Sequence, residues 1–82
     1  MELKDTVELM NSEDYKERFK AEYLQTKIRY EKLHAMLVKS EAGTLNFTPS
    51  SPLRILNEQK RYMAEYLRCL EVRAEVEGID LT

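Results

Sequence analysis

Two long segments, residues 12–41 and 52–77, carry helix-period apolar residues on more than one face and hold no glycine and no interior proline. An isolated two-helix hairpin requires only one apolar seam, so the surplus predicts a second buried surface. Either the rest of this chain or another chain must cover it. The pattern points to a helical hairpin that works by binding, and argues against a self-contained enzyme.

On the first segment, Phe19, Tyr23, Thr26, Tyr30, Leu33 and Leu37 alternate spacings of four and three, the seam of an antiparallel helix pair. On a helical wheel Ala21, Leu24, Ile28, Ala35 and Val38 gather on the far side as a second face. Both faces are credible seams, and the sequence leaves open which of them meets the second segment. That segment has Leu56, Met63, Leu67, Leu70 and Ala74 as its main seam, flanked by Ile55, Tyr62, Tyr66, Cys69 and Val76. Arg54, Arg61 and Arg68 recur every seven residues, with Glu58 and Glu65 placed for i,i+4 pairing to the first two.

Local signals set the boundaries. Residues 2–10 place Leu3, Val7 and Met10 at helical spacing, a short helix that must dock to persist. Asn11 and Ser12 offer an N-cap, with Glu13 and Asp14 in the first turn, and Ala42-Gly43 stops the first long helix after Glu41. Residues 42–51 read as a loop in which Leu45 and Phe47 tuck back over the open end of the hairpin. Ser51 is the expected cap of the second helix, with Pro52 at its first position, and Gly78 ends it, leaving 78–82 as a tail. The chain is thus a single all-α domain over 1–82, an antiparallel helical hairpin with a short N-terminal helix. Each long helix would span roughly 40–45 Å.

A core of this size rarely contributes more than about 3–5 kcal/mol by itself, so assembly into a homo-oligomeric helical bundle is expected. Leu24, Ile28, Ala35 and Val38 are the candidate oligomer interface. The other arrangement is a compact monomer in which the N-terminal helix, the loop and the tail cover the second faces.

Composition excludes several function classes. With Cys69 as the sole cysteine, neither an intrachain disulfide nor a CxxC metal site can form, which fits a reducing compartment. The start MELKDTVELM lacks the basic and apolar regions of a signal peptide, and no apolar stretch is long enough to span a membrane, so a soluble cytoplasmic protein is expected. A net charge of −2 argues against direct nucleic-acid binding. No GxSxG, P-loop, GxGxxG or HExxH motif occurs, and His34 has no ligand at metal spacing. No catalytic residue, metal or cofactor is therefore expected. Cys69 reads as buried packing.

Five tyrosines in a chain without tryptophan stand out. Each can supply a stacking ring with a polar tip, or simply pack the edge of the core. Tyr62, Tyr66 and Arg73 lie along one strip of the second helix and are the candidate ligand-binding residues. At an oligomer interface, such rings and a guanidinium group could stack a base and pair its phosphate.

The stretch RFKAEYLQTKIRYEKLHAML, followed by the spacing of Leu56, Gln59, Met63, Tyr66, Leu70 and Arg73, resembles a family of short helical-hairpin proteins related to a crAss-like phage protein. The resemblance covers residues 12–78 and implies a phage or prophage origin. That family has no settled activity to carry over, and its tyrosine and arginine correspond to Tyr66 and Arg73. The architecture is also similar to the phage anti-CBASS and anti-Thoeris hairpin sponges, homo-oligomers that bind cyclic nucleotide immune signals between subunits. Their binding residues do not map one by one onto this chain. The expectation is a counter-defence protein that sequesters a cyclic nucleotide in the cytoplasm of a bacterial host. The alternatives are a small inhibitor or adaptor of a host defence protein, of the anti-CRISPR kind, and a structural phage component.

Overall fold

The computed structural model describes residues 1–82 and is entirely helical. A 3-10 turn over Leu3–Thr6 leads directly into helix α1 (Val7–Met10). The long helices α2 (Tyr15–Ala42) and α3 (Leu53–Glu77) lie side by side as a hairpin with overall extents of 43 × 25 × 19 Å.

The caps differ from the sequence signals by a few residues. Asp14 caps α2, its Oδ1 accepting from the Lys16 amide at 2.9 Å, while Ser12 Oγ accepts from the Asp14 amide at 3.0 Å. Ser12 thus shapes the turn before the helix rather than opening it. At α3 the N-cap position is Pro52, with no side-chain cap, so Ser51 does not take that role. Both helices stop at glycines in the left-handed region, Gly43 (φ 77°) and Gly78 (φ 69°), where a side chain would be strained.

Face one of α2 meets α3. Phe19 and Tyr23 pack with Leu67, Leu70, Ala74 and Ile79 in the core. Leu70 is the best covered of the large side chains, at 1% exposure. Face two is covered at its N-terminal half by the chain's own start. Thr6 is fully buried, its Oγ1 donating to the Leu3 carbonyl at 2.7 Å and accepting from Gln25 Nε2 at 2.9 Å. Farther along, Lys32 pairs with Glu2 at 3.4 Å. Leu3, Thr6 and Leu9 are the more buried positions of the segment, whereas Val7 and Met10 are exposed. The 3-10 turn accounts for this shift, because it aligns residues three apart on one side.

This docking divides the four residues of the expected oligomer interface. Gln25 and Lys32 both hold the N-terminal segment, and Ile28 on the same face is buried within the single chain. Leu24 is half-buried against the core, while Ala35 and Val38, beyond the reach of the segment, are exposed. The short segment suffices because α1 and its 3-10 turn need to cover only two or three turns of α2. At the loop end of the hairpin one expectation fails. Phe47 stands 56% exposed in the loop instead of tucking back. The C-terminal tail, by contrast, is part of the core. Gly78 turns the chain so that the Ile79 amide donates to the Ala74 carbonyl at 2.8 Å, and the Ile79 side chain enters the core beside Ala74. This is the six-to-one closure that a left-handed glycine permits, with its usual hydrophobic contact.

Candidate functional site

With α2 occupying one side of α3, two flanks of α3 remain, and they differ in chemistry. One carries Arg54, Arg61 and Arg68. The other carries Ile55, Gln59, Tyr62, Tyr66, Cys69 and Val76, at alternating spacings of four and three except between Cys69 and Val76, where Arg73 interrupts the apolar run. Tyr62 is 60% and Val76 81% exposed, and Cys69 is exposed too rather than packed as its sequence context suggested. An open cleft of about 440 Å³ lies on this flank, lined by Ile55, Glu58, Gln59, Tyr62, Met63 and Tyr66. Helical geometry puts Tyr62 and Tyr66 one turn apart, so both rings border the same cleft.

The polar neighbours of the strip come from α2. Tyr66 donates its hydroxyl to Glu22, and this bond holds the phenol above its ordinary value of 10.0, with burial adding and Arg73 opposing. Arg73 is engaged on several sides. Its Nε lies 3.0 Å from Glu77 Oε2, its Nη2 donates to the Tyr15 hydroxyl at 2.6 Å, and its guanidinium carbon sits 4.8 Å from the centre of the Phe19 ring. Tyr15 in turn donates to Glu77 Oε1 at 2.9 Å. The hydrogen bonds from Tyr15 and then Arg73 hold Glu77 below the ordinary carboxyl value of 4.5, while the bond to Glu77 pushes the Tyr15 phenol up.

The three sequence-derived candidates are therefore placed unequally. Tyr62 and Tyr66 share the cleft. Arg73 lies about two turns farther on, tied to Glu77 and Tyr15, where it clamps the start of α2 to the end of α3. A residue the sequence reading had placed elsewhere stands beside the cleft: Arg61 packs over the Tyr62 ring at 4.9 Å and reaches the Tyr62 hydroxyl at 3.1 Å. It forms no ion pair with Glu65, although Arg54 does pair with Glu58 at 3.7 Å. The i,i+4 rule missed this because a ring one residue away competes for the guanidinium.

A larger cleft of about 690 Å³ lies beside the C-terminal tail, between Tyr23, Leu24 and Lys27 on α2 and residues 78–82. Glu71, Glu75 and Asp80 face it against the single cation Lys27, a balance that opposes an anionic ligand. Asp80 is held below its ordinary carboxyl value by bonds from the Thr82 side chain and amide. His34 stacks on Tyr30 with ring centres 6.1 Å apart, and no group of three His, Cys, Asp or Glu side chains is placed to hold a metal ion. No helix is long and apolar enough to cross a membrane.

The Sequestin family model matches residues 13–76, well over half of the chain. The chain belongs to the Sequestin family. The matched span takes in nearly all of α2 and α3, with Tyr62, Tyr66, Arg61 and Arg73, and leaves out the N-terminal segment and the tail. The family name fits a sequestering protein, one that binds a ligand or partner. Comparison with curated proteins and with solved structures finds no match to either.

Proposed function

We propose that this chain is a phage-encoded counter-defence protein that binds and holds a cyclic nucleotide immune signal as a homo-oligomer, without catalysing a reaction, in the cytoplasm of its bacterial host. The observation that carries this reading is the pairing of two tyrosine rings on one open cleft with a guanidinium free of any carboxylate, Arg61, over the outer ring. A base stacks on such a ring irrespective of its identity, and an arginine can present two donors to a phosphate. The volume of about 440 Å³ lies in the range of small-ligand sites. Arg61 is the better phosphate partner. Arg73 would first have to release Glu77, whereas Arg61 has no carboxylate partner and is the cation set against Glu58 and Glu22, the carboxylates that border the cleft.

Native mass spectrometry with and without a panel of cyclic nucleotides tests the proposal. Uptake of a discrete ligand mass supports it, and so does absorbance near 260 nm that co-purifies with the protein. Tyr62→Ala should then weaken binding by about fivefold or more, given roughly 1–3 kcal/mol per stacked base. A protein that ignores every nucleotide would shift the reading to a host protein target.

A further inference from the structure

We infer that Glu58 selects the base of the sequestered nucleotide, and that the base it selects is guanine. The inference rests on the nucleotide reading above and names the base that reading leaves open.

Most of the cleft cannot tell one base from another. Ile55 and Met63 offer apolar support, and stacking on a tyrosine ring is indifferent to the base stacked. Discrimination therefore falls to the two polar side chains that line the cleft beside the phenols, Glu58 and Gln59. Gln59 carries both donor and acceptor and can turn its amide to suit any base edge, whereas the Glu58 carboxylate can only accept. Glu58 also stands one turn before Tyr62 on the same side of α3, within reach of the edge of a base on that ring. Arg61 lies over the Tyr62 ring at 4.9 Å, so the base takes the opposite face. The other bordering carboxylate, Glu22, already accepts from the Tyr66 hydroxyl. Glu58 is engaged by Arg54 alone, at 3.7 Å and through Oε1, with 74% of the Arg54 side chain open to solvent. An exposed ion pair of this kind contributes little, and a base displaces it at small cost.

A carboxylate presents two acceptors side by side, so it favours a base with two donors side by side. Guanine has them, in its ring N–H and the adjacent exocyclic amine on the Watson–Crick edge. Adenine and cytosine each set one amine beside a ring-nitrogen acceptor, which would face the second carboxylate oxygen lone pair to lone pair. Uracil has one N–H flanked by two carbonyls, so both of its neighbours repel the carboxylate. Among the four bases, guanine is the one that Glu58 can hold by two hydrogen bonds.

Isothermal titration of the full chain with cyclic di-GMP, cyclic di-AMP and cyclic di-IMP tests the inference. Cyclic di-GMP should bind about fivefold or more tighter than cyclic di-AMP, the discrimination expected of one good bidentate contact. Cyclic di-IMP, whose base lacks the exocyclic amine, should lose most of that advantage. Glu58→Gln should reverse the preference, because its amide presents one acceptor beside one donor, the complement of adenine. The exposed position should leave the helical circular dichroism of this variant unchanged. Equal affinities, a wild-type preference for adenine, or a guanine preference that survives Glu58→Gln overturns the inference and leaves the sequestering reading standing. A chain that takes up none of the three, nor any other cyclic nucleotide, overturns both.

Discussion

At the end of the hairpin where the chain begins and stops, Phe19 and Tyr23 of α2 are closed in by Leu70 and Ala74 of α3 and by Ile79 of the tail, while the N-terminal segment covers the other face of α2. At the loop end α2 and α3 have only each other. From residue 29 to residue 66 Leu37 is the one buried residue, and Val38, Phe47, Leu53 and Ile55 stand exposed. The helices themselves do not cause this difference, since apolar residues run along both for their full length. It comes from the number of elements that reach each part of the surface. A helix with two apolar flanks buries both only where a third element is at hand, and an uncovered flank is what a binding protein has to offer a ligand or partner.

The contrast can be broken most directly by paired core truncations. Leu70→Ala should lower stability by about 3 kcal/mol in urea denaturation, and Leu37→Ala by about half as much, because the thinly covered loop end relaxes around the lost side chain. Equal losses would mean the two ends are packed alike. Ile79→Ala should cost about 2 kcal/mol, an effect far beyond what a frayed tail could give. A loss below about 0.5 kcal/mol would remove the tail from the core.

Tyr23→Phe should cost about 1 kcal/mol by deleting the bond to Glu71 Oε2 at 2.9 Å. Burial and then that bond raise the Tyr23 phenol above 10.0, so its contribution is complete below pH 10.0 and lost as pH rises through the raised value. Tyr15 and Tyr66 are raised as well, by their bonds to Glu77 and Glu22, so wild-type stability should fall in the alkaline range, and Tyr23→Phe should flatten part of that fall. On the acid side the signs reverse. Glu77 is lowered from 4.5, so whatever it contributes is present above that value and disappears as pH drops through the lowered one. At the loop end, Phe47→Ser should change stability by less than about 0.5 kcal/mol, the smallest effect of the set.

Much of the architecture was legible because its signals are local. Gly43 and Gly78 mark both helix ends, and the spacing from Phe19 to Leu37 marks one of two credible seams on α2, of which the structure selects this one to meet α3. The docked tail also had a signal that could have been read, an apolar Ile79 directly after a left-handed glycine. The site was legible only in part. Helical spacing is enough to bring Tyr62 and Tyr66 to one cleft. The engagement of Arg73 by Tyr15, from a position 58 residues away, leaves no trace in a local pattern, and neither does the turn of Arg61 away from Glu65 onto Tyr62.

By itself, the sequence determined two long helices, where they end, and an apolar excess too large for one seam, since helix period and glycine caps act between residues a few positions apart. Only the tertiary structure decided how that excess is divided. The N-terminal segment covers Ile28, the tail covers part of the core, and the tyrosine flank of α3 is left to the outside. Each of these outcomes depends on which distant segments reach a given face, and burial is a property of that meeting rather than of any one segment's pattern.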